Sequence, residues 1–118
     1  MSKNREFFQQ INEAFAQGDL DFLLEHAADD IELNEVGQEV LRGKEAFIQK
    51  MEPMRGVVPD EYHTTRIITH GLHAVIEGKM TMLDSAGKRK TYAFCDIYTL
   101  NKHKNGKIKE LTTYVIEL

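Results

Sequence analysis

Three features of this 118-residue sequence predict an α+β fold, a cone of three N-terminal helices packed on a strongly curved, mixed but mainly antiparallel sheet. Helical periodicities come first, alternating β-branched segments follow with no further helix among them, and turn signals separate those segments. Between residues 3 and 16 the apolar side chains Phe7, Phe8, Ile11, Ala14 and Phe15 recur every three or four positions, which sets them on one helical stripe. Gly18 then supplies a stop, and Asp19 a cap for a second helix that carries Leu20, Phe22, Leu23 and Leu24 to about Ala27. Residues 31–35 read as a short strand, and 43–51 as a third helix with Ala46, Phe47 and Met51 inward. Beyond Pro53 and Pro59, strands are predicted over 62–69, 72–84, 89–100 and 107–118, with Gly78 a bulge or bend in the second.

The length suits a single domain over residues 1–118. A net charge of −4, with both signs mixed along the chain and no basic arm, argues against a nucleic-acid partner. Cys95 stands alone, so no internal disulfide is expected, which suits a reducing compartment. The opening residues show no apolar leader, and no apolar run approaches the roughly 18 residues of a membrane helix. The expectation is a cytoplasmic protein without membrane association.

Strands of a dozen residues are long enough to bend, and three helices over a bent sheet leave a half-open apolar hollow with one mouth. Such a hollow has the shape of a small-molecule pocket. Strand parity puts Tyr92, Phe94, Asp96, Tyr98 and Leu100 on one face of the third long strand, and Ala93, Cys95, Ile97 and Thr99 on the other. Either face is a plausible inner one. If the first lines the hollow, Asp96 lies between aromatic rings, where burial raises its pKa and keeps a proton available for a developing oxyanion. Glu35 poses a similar choice. Ile31 and Leu33 alternate like a buried face, so the next residue inward should be apolar, yet it is a carboxylate. Either the strand has ended in water there, or the interior requires a base.

In the last strand Leu111, Thr113 and Val115 form the expected inner face. Ala74, Ile76, Met80 and Met82 share a face of the second, with the methionines serving as core filling or as an adaptable pocket wall. The expected lining is therefore Ile11, Phe15, Leu33, Met80, Phe94, Tyr98, Leu111 and Thr113. Five histidines raise the question of a metal, but His70 and His73 differ in parity and no acid stands at a familiar ligand spacing, so no metal is expected. There is no phosphate-cradling glycine loop, no G-x-S-x-G elbow and no useful Cys–His pair, so neither a cofactor nor a nucleophile is expected.

The runs FAQGDLDFLLEHAADDIEL, LRGKEAFIQKM and DIYTLNKHKNGKIKELTTYVIEL resemble the SnoaL-like branch of the nuclear transport factor 2-like superfamily, to which ketosteroid isomerase and several polyketide cyclases belong. The likeness covers nearly the whole chain. It implies the cystatin-like cone of three helices on a curved sheet, a small hydrophobic ligand and a homodimer. The family's motifs mark the fold more than the activity. Ketosteroid isomerase places a carboxylate base and a protonated acid in one apolar pocket. Carried onto this chain, its base falls at Glu35, counted from Asp29-Asp30, and its oxyanion-donating acid at Asp96. Its oxyanion tyrosine falls at Ile11, and the base is one methylene longer, so both positions depart from the isomerase pattern. The resemblance thus implies isomerase-, cyclase- or lyase-type acid–base chemistry on a small hydrophobic carbonyl compound, with Glu35 and Asp96 catalytic and Tyr98 or Tyr92 assisting. The alternative is a non-catalytic ligand-binding or dimeric accessory module of the same fold.

Overall fold

The computed structural model describes residues 3–118; Met1 and Ser2, which open the stretch read for a leader and the predicted domain span, lie outside them. Helices α1 (Lys3–Gln17) and α2 (Leu20–Glu25) lead into strand β1 (Ala27–Glu35), a two-residue β2 (Leu41–Arg42) and helix α3 (Lys44–Met51). A 3-10 turn (Glu52–Met54) begins a strap that runs to β3 (Glu61–His70), and β4 (His73–Leu83), β5 (Arg89–Leu100) and β6 (Ile108–Glu117) follow. One sheet holds all six strands in the order β2-β1-β6-β5-β4-β3, curled but not closed. Among the described residues only β1 and β6 pair in parallel, which makes the sheet mixed.

The apolar stripe of α1 behaves as its spacing predicts. Phe8, Ile11 and Ala14 are buried with Leu20, Leu23, Phe47 and the inner residues of the sheet. Gly18 makes the α1–α2 turn at φ 65°, where a Cβ would come within 2.7 Å of the Val57 backbone. A side chain there would push the strap off the helices. Asp19 then caps α2 by accepting from the Phe22 amide at 3.2 Å.

Two boundaries differ from the sequence reading. The second helix stops at Glu25 and the first strand begins at Ala27, not near residue 31. The carbonyl of His26 accepts from the Ile108 amide at 2.8 Å, so the chain is already committed to pairing with β6 at that point. The buried Ala27 and Ala28 precede the exposed Asp29 and Asp30, and this break in alternation, with its register shift, hides the strand's start.

Gly78 marks the bend, although the extra residue lies across from it. Register skips from Thr64 to Arg66 in β3, opposite Gly78 and Glu77. A Cβ on Gly78 would stand 2.2 Å from the His63 carbonyl oxygen and 2.9 Å from the Phe94 ring. Glycine here lets β3 close in on one side and the Phe94 ring lie over β4 on the other. Gly78→Ala is accordingly expected to lower stability by about 1–3 kcal/mol through overpacking, measured as a shift of the urea unfolding midpoint at unchanged slope; an unshifted midpoint would show that the bend tolerates a methyl group.

Candidate functional site

The concave face of the sheet settles the question of parity. Phe94, Tyr98 and Leu100 are buried on the inner face of β5, and Asp96 shares that face. Register sets Glu35 opposite Thr113, and Thr113 opposite Asp96, so the three stand in one row across β1, β6 and β5. Two strand spacings separate the backbones of the acids, roughly 10 Å. A cavity of about 450 Å³ lies over this row and includes both carboxyl-bearing residues in its wall. Strands β1, β3, β4, β5 and β6 form one side of it, and α1, α3 and the strap form the other.

Six of the residues expected to line the hollow do so: Phe15, Leu33, Met80, Phe94, Leu111 and Thr113. Ile11 and Tyr98 do not, and this corrects the reading of both. Each has the right parity but lies where the cone narrows, packed in the core, with the Phe8 ring 6.0 Å from that of Tyr98. Sequence periodicity identifies a face and not a depth along it. The sequence reading missed the strap residues Pro53, Met54, Val57 and Pro59, which carry no periodicity, and also Lys50 and Tyr62. Lys50 lies three positions after the buried Phe47 on α3 and so shares its face, a signal present in the sequence. Tyr62 shares parity with Thr64, but the bulge at Thr65 breaks the pattern that would link it to Ile67.

The two acids occupy different environments. Burial pushes Asp96 up to about 6, and the hydrogen bond that the Thr113 hydroxyl donates to its Oδ1 pulls partly the other way. Glu35 stands at the mouth, its Oε2 3.3 Å from Lys50 Nζ, with the two side chains 37% and 42% exposed. An ion pair this wet adds little to stability. Across the cavity the Tyr62 ring lies 5.2 Å from that of Phe94, and its hydroxyl donates to Asn12 Oδ1 at 3.0 Å. Asn12 Nδ2 donates in turn to Thr64 Oγ1 at 2.7 Å, tying α1 to β3. Burial, and then the charge of Asp96, push the Tyr62 phenol well above its usual range, so it keeps its proton. Among the described residues no three His, Cys, Asp or Glu side chains converge as a metal-binding group, and no helix is long and apolar enough to cross a membrane.

A curled sheet with three helices over its concave face, enclosing an apolar cavity with acids in its wall, defines the class of cone-shaped pocket folds. The SnoaL-like domain profile matches residues 8–111, and the chain belongs to that family. An NTF2-like protein of unknown function from Cytophaga hutchinsonii is similar in structure, with 29% identity over 98% of this chain and 100% of its own, at a TM-score of 0.76. The epoxide hydrolase/cyclase-like enzyme SalBIII, which acts in pyran ring formation in polyether salinomycin, has 18% identity over 97% of this chain and 91% of its own, at 0.81. An LEH-like epoxide hydrolase of M. tuberculosis has 20% identity over 88% and 75%, at 0.70. These last two likenesses establish the fold. No curated protein sequence matches the chain.

Burial of Asp96 has a thermodynamic consequence of definite sign. The folded chain holds that proton to about pH 6, whereas an unperturbed Asp releases it near 3.8. The folded state therefore binds more protons between these values, and stability falls as pH rises through the window. Asp96→Asn is expected to stabilise the protein at pH 7 by on the order of 2 kcal/mol, with the gain vanishing below pH 4. Urea unfolding of both proteins at the two pH values measures this, and a variant less stable at pH 7 would contradict the assignment.

Proposed function

We propose that the chain is an enzyme of acid–base type acting on a small, largely apolar molecule with one oxygen function, a carbonyl compound in the first instance. The observation that carries this reading is the juxtaposition of two unlike carboxyl groups in the wall of one cavity. Asp96 is largely withdrawn from water, with a pKa raised toward neutrality, while Glu35 is wet and ion-paired at the mouth. Environments that separate two acids in this way suit one to give a proton and the other to take one. Protonated Asp96 donates to the substrate oxygen as negative charge develops there, and Glu35 removes the proton from the adjacent carbon. Epoxide opening would use the same donor, and the epoxide hydrolase likenesses make epoxides the second class to assay.

Because Asp96 acts in its protonated form and Glu35 in its ionised form, kcat/KM falls as pH rises through about 6. The test is exchange of the α-hydrogens of cyclohexanone and longer ketones in D2O, followed by NMR. Glu35→Gln and Asp96→Asn are each expected to reduce the catalysed rate by roughly 100-fold or more. Parent protein that binds ketones without accelerating exchange or opening epoxides would instead identify a non-catalytic binding module. The Lys50 ammonium, which stands against the Glu35 carboxylate that would take the proton, is the observation favouring that second reading.

The partner and compartment readings are proposals of the same standing. The convex face exposes Ile68, Ile97, Tyr114 and Ile116, and this apolar area supports a homodimer formed face to face. Sedimentation equilibrium is expected to report twice the chain mass at micromolar concentration; a monomer there rules the dimer out. The lone Cys95, whose thiol burial pushes up and so makes less reactive, supports a reducing, cytoplasmic location.

A further inference from the structure

The hollow does not end at Glu35. A second one, of about 400 Å³, shares Glu35, Met80, Met82, Thr113 and Val115 with the first and continues outward past Val36 and Leu83. Val36, Leu83 and Val115 are exposed, Leu83 by 59%, so three aliphatic side chains border one open path leading outward from the cavity. Single exposed aliphatics need no explanation, but a set that continues an apolar cavity marks surface that something covers. Further in, Met51 of α3 and Met54 of the strap line the same path as Met80 and Met82, which accounts for every methionine after Met1. Unbranched thioethers repack around partners of varied conformation. The acids, by contrast, stand at one station along the path, in the Glu35–Thr113–Asp96 row.

We propose that the site takes an elongated, mainly aliphatic molecule. Its oxygen function stops at the row of acids, and its tail runs along Met80, Met82 and Val115 to Leu83. This rests on the reading above that the cavity binds an apolar oxygenated compound. A compact ring would fill the inner hollow and leave the outer aliphatic border in water, whereas a chain covers both.

A series of ketones, hexan-2-one to dodecan-2-one, tests this by calorimetry and by NMR of labelled methionine methyl groups. Affinity is expected to rise about two- to fourfold per methylene through the whole series, with the Met80 and Met82 methyl signals shifting. Leu83→Asp, at an exposed position, is expected to reduce the ratio of dodecan-2-one to hexan-2-one affinity by at least tenfold at an unchanged unfolding midpoint. A plateau at octan-2-one, or a ratio that Leu83→Asp does not move, overturns the elongated ligand while leaving the cavity reading intact. A Leu83→Asp variant that dissociates a dimer without moving the ratio also overturns it, by assigning the groove to a second copy of the chain. If no ketone of any length binds, the cavity reading and this inference fall together.

Discussion

Curvature of the sheet is the constraint on which the rest of the molecule depends. Strands of ten to twelve residues would form a broad, flat platform if they stayed straight, and the helices would then bury its inner face completely. The Thr65 bulge and Gly78 bend β3 and β4 together, and the Phe94 ring occupies the space that a side chain at 78 would have taken. The helices then seal only the narrow end, where Phe8, Ile11 and Tyr98 interdigitate. Toward the wide end the opposing walls diverge too far for side chains to meet, and the cavity is that unfilled space. Its outer wall is a strap held by the exposed Arg55, which bridges Asp21 at 2.6 Å and Glu52 at 2.7 Å, and by the contact of Gly56 with Gly18.

The same geometry explains why two carboxyl groups in one row differ. Asp96 belongs to β5, which has neighbours on both sides, so the sheet surrounds it with Phe94, Thr113 and the opposite wall. Glu35 ends β1, next to the two-residue β2, where the sheet stops and water reaches the rim. Position in the strand order therefore sets how far each carboxyl group is withdrawn from water.

Much of this was legible in the sequence. The helical stripe of α1, the four long strands and the inner parity of β6 follow from local patterns that the tertiary structure does not override. Alternation could not choose between the faces of β5, because aromatic residues on one face and small aliphatic ones on the other both suit burial. The choice falls to the helices, which cover the aromatic face. Nor could alternation distinguish Tyr98 from Phe94, which share parity and chemistry and differ only in distance from the narrow end. The start of β1 was obscured by Asp29 and Asp30, whose exposure reflects a register shift that no local pattern signals. Tyr62 was hidden by the bulge at Thr65, and β2 is too short for any periodicity to register.

The position of Tyr62 bears on the proposed chemistry in a way the resemblance alone does not suggest. In the isomerase pattern a tyrosine on the first helix donates to the substrate oxygen, and here Ile11 occupies that place in the sealed end of the cone. A phenol reaches the cavity from β3 instead, but its proton is committed to Asn12, the residue after Ile11. The Thr113 hydroxyl is likewise committed, to Asp96. Of these groups around the cavity floor, only Asp96 has a proton to offer, and only in the fraction of molecules where it is uncharged. An apolar ligand that displaces water from the floor removes solvation from the carboxylate, and so increases that fraction. In the proposed chemistry, binding and activation are thereby linked through one proton: the better the occupant dries the cavity, the more fully Asp96 is held in the form that can donate to it.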